Sequence, residues 1–254
     1  MGKTVFITGA SSGFGKACVS IFAKNNWDLL LSARRVDRLK DLQDEFGQIT
    51  NVHIMPFDIR IKEDVHNAIL NVPEEFKEID LLINNAGLAL GLEPAYKSDI
   101  EDWEIMVDTN IKGLMYCTRF ILPNMMKRNK GYIINVGSVA GNWPYPGGNV
   151  YGATKAFVKQ FSLNLRADVS GTKIRITNIE PGLAETEFSI IRYKGDVEQA
   201  NRIYEGTKPL TADDIADIVF WVANSPEHIN INRIEVMPVC QSWGPFSVEK
   251  DSDE

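Results

Sequence analysis

Thr4-Val5-Phe6-Ile7-Thr8-Gly9-Ala10-Ser11-Ser12-Gly13-Phe14-Gly15 decides the architecture of this chain. Five β-prone residues lead into a glycine-rich turn, and a helix-period segment over 16–25 follows. Strand, glycine turn and helix start are the parts needed to hold a pyrophosphate. Glycines let the backbone come close, and the unpaired N–H groups of the helix face the anion. The spacing here is G-x-x-x-G-x-G, not the more common G-x-G-x-x-G.

The alternation continues outward from that turn. Asp28–Ala33 (D-L-L-L-S-A) reads as the next buried strand and ends at Arg34 and Arg35. NAD sites place an acid near this point, on the adenosine ribose hydroxyls. Two guanidiniums instead suit a bidentate, charge-assisted grip on a 2′-phosphate. The other reading is a solvated basic pair opening the next helix, with Asp37 and Asp41 as partners. After a helix to Phe46, a strand over 52–57 runs to Asp58 and Ile59. Asp58 stands either to meet an adenine amino group or to cap the helix expected over 61–72. A fourth strand over 79–83 runs into Asn84-Asn85-Ala86-Gly87.

Residues 102–128 carry a long helical pattern that Asn110 and Gly113 interrupt. An asparagine in mid-helix lowers propensity and predicts local unwinding with a polar task. A fifth strand over 132–136 ends at Gly137 and Ser138. A rigid aromatic loop, W-P-Y-P-G-G over 143–148, then precedes a helix expected to reach about Val169. A sixth strand over 174–179, a mixed-polarity segment over 183–208 with the character of a lid, a helix capped by Thr211 and a last strand over 231–237 complete the chain. Such alternation, with no repeat or linker, predicts a single α/β domain: a doubly wound parallel sheet with helices on both faces.

Bulk properties narrow the function classes. With 254 residues, 44% hydrophobic and 24% charged, the composition is that of an ordinary globular protein. A net charge of -7 argues against nucleic acid or an anionic membrane as main partner. No apolar run is long enough to span a bilayer, and residues 1–4 lead straight into a strand with no signal-peptide core. Cys18, Cys117 and Cys240 are scattered and His53, His66 and His228 form no ligand spacing. Inert thiols in a reducing cytoplasm and no catalytic metal are therefore expected.

Within the helix expected after the aromatic loop, Tyr151 and Lys155 stand four apart on one face. A tyrosine normally titrates near ~10. A cation held close favours the phenolate, which would make Tyr151 a usable acid/base.

Taken together, T-G-A-S-S-G-F-G at 8–15, N-N-A-G at 84–87, Asn110, Ser138 and Y-G-A-T-K at 151–155 resemble the short-chain dehydrogenase/reductase family in order and spacing. The likeness covers nearly the whole chain. It narrows to the NADP-dependent 3-hydroxy acid dehydrogenase branch through N-N-A-G-L-A-L-G-L-E-P-A (84–95), the stretch over 142–157, E-P-G-L-A-E-T-E-F (180–188) and the segment over 230–239. The resemblance implies a Rossmann fold over 1–248, with an acidic tail at 249–254. It also implies NADP as cofactor and hydride transfer on serine, L-allo-threonine or 3-hydroxypropionate, or in reverse on malonic semialdehyde.

By the same resemblance Tyr151 is the acid/base, Lys155 lowers its pKa and holds the nicotinamide ribose, Ser138 orients the substrate oxygen, and Asn110 anchors a relay water. The cofactor would be enclosed by Gly9, Ser11, Ser12, Gly13, Phe14 and Gly15, by Arg34, Arg35, Asp58 and Ile59, and by Asn85, Ala86 and Gly87. Pro181, Gly182, Leu183, Thr186 and Phe188 would complete the enclosure, with Tyr151 and Lys155. For an acid substrate the chain offers Arg192, with Tyr145 and Asn149 as supporting donors. A homotetramer follows from the resemblance, since the helices over 102–128 and 150–169 pair between subunits in the family. Two other functions are weighed: a carbonyl reductase for other ketones or aldehydes, and a non-catalytic module that senses NADP(H).

Overall fold

Every residue of β1 (Thr4–Thr8) is buried, which a strand achieves only inside a sheet covered on both faces. A computed structural model, describing residues 2–243, contains that sheet. β1 is joined by β2 (Asp28–Ala33), β3 (Val52–Pro56), β4 (Ile79–Asn84), β5 (Gly131–Val136), β6 (Ile174–Pro181) and β7 (Arg233–Val236). The seven strands run in the order β3-β2-β1-β4-β5-β6-β7, and every neighbouring pair is parallel. Parallel neighbours need crossovers. Helices α1 (Gly13–Lys24), α2 (Val36–Phe46), α3 (Lys62–Leu70), α4 (Ile100–Val107), α5 (Leu114–Arg128) and α6 (Asn149–Asp168) supply most of them.

The period-two alternation of the strands sorts their side chains onto two cores. Val5, Ile7, Leu29, Leu31, Leu81 and Ile83 face one side with Phe22, Leu39 and Val219, while Phe6, Leu30 and Leu82 face the other with Val65, Ile121, Met125 and Leu165. On the first side Phe22 of α1 meets Trp27 and Phe220 edge-on, with ring centroids 5.0 and 5.2 Å apart. Phe220 comes from α9 (Ala212–Ala223), whose Thr211 and Asp214 form the capping box that the sequence signals.

β1 has β2 on one side and β4 on the other, so the chain winds outward to β3 and then crosses back past β1. The crossovers diverge at that switch, and a crevice opens at the strand C-termini. The helical stretch expected over 102–128 begins earlier and is interrupted where expected. Between α4 and α5, residues Asp108–Gly113 form a π-helical turn, and Asn110 within it is 2% exposed. A π-turn inserts an extra residue and so turns a polar side chain inward. Gly113 permits the approach, because a Cβ there would lie 2.8 Å from Ile59 Cγ1.

Two expectations gain detail. The last strand is confined to Arg233–Val236. The mixed-polarity segment over 183–208 contains two short helices, α7 (Glu187–Arg192) and α8 (Val197–Arg202). Thr186 and Asp196 cap them by accepting bonds from Phe188 N and Gln199 N. The acidic tail at 249–254 lies outside the described residues. Among those described, no helix is long and apolar enough to cross a membrane.

Candidate active site

The C-terminal ends of six strands, β1 to β6, open onto one cleft of about 440 Å³. Its floor is the glycine turn after β1. Gly9 has φ +66°, and a Cβ there would stand 2.9 Å from Ala86 Cα, so both backbone conformation and close packing require glycine. Gly9, Ser11, Ser12, Gly13 and Phe14 line the cleft. Gly15 does not; it lies behind the turn, where a Cβ would come within 2.3 Å of Gly9 O. Ser12 precedes α1 in extended conformation without a side-chain cap, and the first turn carries no acid. The leading N–H groups of α1 are thus left for an anion.

Arg34, Arg35, Asp58 and Ile59 form one end of the cleft. Arg35 donates to Ser11 Oγ from Nε at 3.2 Å and from Nη2 at 3.1 Å, and its Nη1 lies 2.9 Å from Glu187 Oε2. Arg38 reaches the same carboxylate, Nη1 to Oε1 at 2.6 Å. The acidic partner of Arg35 is therefore Glu187 of α7, not the nearby Asp37 or Asp41. Burial alone would raise the Glu187 carboxyl, but the bonds from Arg35 and Arg38 outweigh it and hold the group below its ordinary value. Asp58 takes up Arg60, with Nη2 at 2.6 Å and the backbone N at 3.0 Å. That side-chain bond is the main reason its carboxyl is held low. The cap of α3 is Ile61, so Asp58 closes the turn before that helix and does not cap it.

Asn85, Ala86 and Gly87 form the middle wall. Asn85 Nδ2 donates to Thr8 O at 2.8 Å, and the Asn85 and Ala86 amides donate to Thr8 Oγ1 at 3.0 Å each. The ends of β1 and β4 are thereby tied across the switch.

At the opposite end stand Ser138, Tyr151 and Lys155, all lining the cleft. Ser138 follows β5, accepts from Ala140 N at 3.1 Å and donates to Pro181 O at 3.5 Å, and its hydroxyl acts to lower the pKa of the Tyr151 phenol. Tyr151 is buried in the first turn of α6, with the Phe188 ring 5.5 Å from its own. Lys155, one turn on, is also buried and donates to Val136 O at 2.8 Å. This changes the expected electrostatics of the pair. Burial pushes the phenol well above its ordinary value, and the offsetting influences are the Ser138 hydroxyl and the Arg192 charge, not Lys155. Burial likewise lowers Lys155 to about 8. The i,i+4 spacing does bring them together, with Nζ 5.9 Å from the ring centroid. The ammonium turns instead to the strand-end carbonyl of Val136.

Asn110 is fully engaged. Its Nδ2 donates to Leu88 O at 2.8 Å and Thr154 Oγ1 at 3.0 Å, and its Oδ1 accepts from Leu88 N at 2.9 Å. It pins the loop after β4 to the helix that carries Tyr151.

Pro181, Gly182, Thr186 and Phe188 close the cleft from above. Leu183 is not on its wall; its backbone N donates to Gln241 Oε1 at 2.7 Å. Arg192, at the end of α7, has its guanidinium 5.5 Å from the Tyr151 ring centroid and donates from Nη2 to Tyr145 Oη at 2.7 Å. Gly91 N donates to Arg192 O at 2.9 Å, fastening α7 to the loop opposite. Neither Tyr145 nor Arg192 is on the cleft wall, though Ile191 is, and Asn149 is not brought to the cleft either. Its amide donates to Glu93 O at 3.1 Å and Ser98 Oγ at 3.4 Å, holding that loop against α6. Among the described residues no group of three His, Cys, Asp or Glu side chains could hold a metal ion.

Sequence reasoning passed over Arg38, Glu187 and Arg60. Arg38 carried a usable signal, one helical turn beyond Arg35. Glu187 carried none, since it lies 152 residues from Arg35.

With the site described, known proteins can be set beside it. The profile of the short chain dehydrogenase family matches residues 3–194. An NADP-dependent 3-hydroxy acid dehydrogenase of Salmonella typhi is 53% identical over 247 residues, 97% of this chain and 99% of that one. Sulfoacetaldehyde reductase 2 of Chromohalobacter salexigens is 48% identical over 252 residues, 99% of this chain and 100% of that one. Among solved structures, the closed form of a serine dehydrogenase complexed with NADP+ superposes with a TM-score of 0.92 at 50% identity, covering 97% of this chain and 99% of that chain.

Proposed function

We propose a function from one secure premise: this chain belongs to the short-chain dehydrogenase family. Within that family it is read as an NADP-dependent oxidoreductase that interconverts small 3-hydroxy acids, such as serine, L-allo-threonine and 3-hydroxypropionate, with the corresponding carbonyl compounds. The observation that carries the reading is the joint lining of a single cleft by Ser138, Tyr151 and Lys155 at one end and by Arg34 and Arg35 at the other. The relatives named for NADP and for hydroxy acids support it.

The cleft fits the cofactor. The open N-terminus of α1 and the side-chain-free turn at Gly9 suit a pyrophosphate. Asn85, Ala86 and Gly87 lie between the two ends, and Lys155 is placed for the nicotinamide ribose. When bound, NADP supplies the hydride acceptor or donor.

The remaining chemistry belongs to the chain. In oxidation Tyr151 accepts the hydroxyl proton while the hydride departs from the same carbon; in reduction it returns that proton to the carbonyl oxygen. Ser138, on the same cleft wall as the phenol, orients the substrate oxygen. The Asn110 network, including Thr154, holds α6 in place beneath them. An ordinary phenol is already protonated at neutral pH, and burial makes its phenolate harder still to form, so the protein stands ready as an acid for reduction. Oxidation gains rate as the pH rises.

Arg192 is the proposed anchor for the substrate's anionic group, with Tyr145 as its positioning partner; the proximity of its guanidinium to Tyr151 supports this. The similarity to a sulfoacetaldehyde reductase favours a second reading in which the anion is a sulfonate. The segment over 183–208 would act as the lid of a single domain. The exposed Met115 and Leu163, on α5 and α6, support pairing of these helices in a homotetramer. A cytoplasmic location is in keeping with the buried free thiols of Cys18 and Cys117.

The test is the initial rate of formation of the reduced nicotinamide, NADPH or NADH, with L-serine, L-allo-threonine, 3-hydroxypropionate and 2-hydroxyethanesulfonate, each with NADP and with NAD. Turnover chiefly with NADP, abolished in Tyr151→Phe, is expected. In Arg192→Ala the KM for the acids should rise about ten-fold or more, the loss of one charge-assisted contact. Absence of turnover with all four would overturn the substrate assignment.

A further inference from the structure

We infer that Glu187 sets how strongly this site discriminates NADP from NAD, because its carboxylate already fills the arginine fork that a 2′-phosphate would take. The inference rests on the NADP reading above and concerns a residue that reading leaves unassigned. Arg35 Nη1 and Arg38 Nη1 converge on the two oxygens of Glu187, at 2.9 and 2.6 Å. Two guanidiniums closing on paired anionic oxygens is the geometry that also suits a phosphate. Ser11 Oγ accepts from Arg35 Nε and Nη2, so three of the five N–H directions of that guanidinium are already committed. Arg35, Ser11 and Glu187 all line the cleft.

Glu187 thus offsets part of the positive charge of Arg35 and Arg38 and leaves Arg34, on the same end of the cleft, unneutralised by it. A cofactor carrying the 2′-phosphate must take over N–H groups that Glu187 holds, and it meets the displaced carboxylate at close range. A cofactor without that phosphate leaves both ion pairs standing. The carboxylate therefore narrows the preference for NADP that the arginines alone would create. All three side chains are about two-fifths exposed, at 40%, 44% and 39%. The ion pairs are accordingly weak enough for a ligand to displace. The competing account is that Glu187 only fixes the arginines in a phosphate-ready pose or complements the start of α7, with no competition for the fork.

Isothermal titration of the ligand-free protein separates these accounts without turnover. Adenosine 2′,5′-bisphosphate and adenosine 5′-monophosphate differ only by the 2′-phosphate. Wild type should bind the bisphosphate more tightly. Glu187→Gln should bind it about five-fold more tightly still, the scale of two exposed ion pairs lost, while the monophosphate affinity stays the same. If wild type prefers the bisphosphate but Glu187→Gln leaves its affinity unchanged or weakens it, the competitive role is overturned and the NADP reading stands. If wild type does not distinguish the two nucleotides, the NADP reading falls and the role of Glu187 falls with it.

Discussion

Replacing Asn110 by alanine should unfold the protein at markedly lower denaturant, and the structure gives the size of the effect. The side chain makes three bonds in a place that water does not reach easily: Leu88 O at 2.8 Å, Leu88 N at 2.9 Å and Thr154 Oγ1 at 3.0 Å. Thr154 keeps a donor role, since its hydroxyl bonds Tyr151 O at 2.7 Å. Leu88 does not fare as well. It is 8% exposed, and the substitution strips the partner from both its backbone groups. Each buried polar group left unpaired costs about 1–3 kcal/mol, so the loss should be about 3 kcal/mol. In a chain of this size that lowers Tm by roughly 6–12 °C. Urea unfolding of the ligand-free protein, followed by far-ultraviolet circular dichroism, measures it. The midpoint should fall with the slope unchanged. Asn110→Asp should do no better, because its carboxylate faces the Leu88 carbonyl with no proton to offer. A loss below about 1 kcal/mol in Asn110→Ala would refute the reasoning, since Leu88 would then have found other partners.

Two further perturbations test other parts of the frame. Lys155 has its pKa lowered by burial to about 8, while the unfolded value is near ~10.4. Between those values the unfolded chain binds more protons than the folded one, so stability rises with pH across that window, by about 3 kcal/mol in all. Lys155→Met should flatten this rise, and urea midpoints that climb equally in both proteins would contradict the assignment. Gly147→Ala places a side chain at φ +77° with its Cβ 2.2 Å from Leu92 O. The expected loss exceeds about 1 kcal/mol by thermal unfolding, and an unchanged Tm would show that the 92–93 backbone gives way.

The frame of the molecule was legible because its signals are local. β1, the glycine turn and α1 fall where T-V-F-I-T-G-A-S-S-G-F-G places them, and the irregularity at Asn110 announced itself through an asparagine and a glycine in an otherwise helical pattern. Ser138, Tyr151 and Lys155 were likewise readable from motif and order, and they share a wall. The directions of long side chains were not readable. Helical spacing puts Lys155 beside Tyr151 but does not reveal its bond to the Val136 carbonyl, which lies on another element. Asn149 was expected to support Arg192 as a substrate donor, yet its amide meets Glu93 and Ser98, partners set by loop packing. Glu187 escaped notice for the same reason: its arginine partners lie at the start of a helix on the far side of the chain.

α7 holds, within six residues, Glu187 against Arg35 and Arg38, Phe188 against the Tyr151 ring and Arg192, the proposed substrate anchor, near that same ring. The residues proposed for the proton chemistry are rooted elsewhere, Ser138 just after β5 and Tyr151 and Lys155 on α6, with Ser138 bonded to Ala140 N and Lys155 to Val136 O. Descendants of such a gene are therefore free to drift in what they accept without forfeiting the proton chemistry, provided the changes fall in those six codons. The same compactness makes the codons pleiotropic. A substitution that reshapes α7 for a new acid also moves the carboxylate facing the arginines, so lineages diverging in substrate should diverge in nucleotide preference as well.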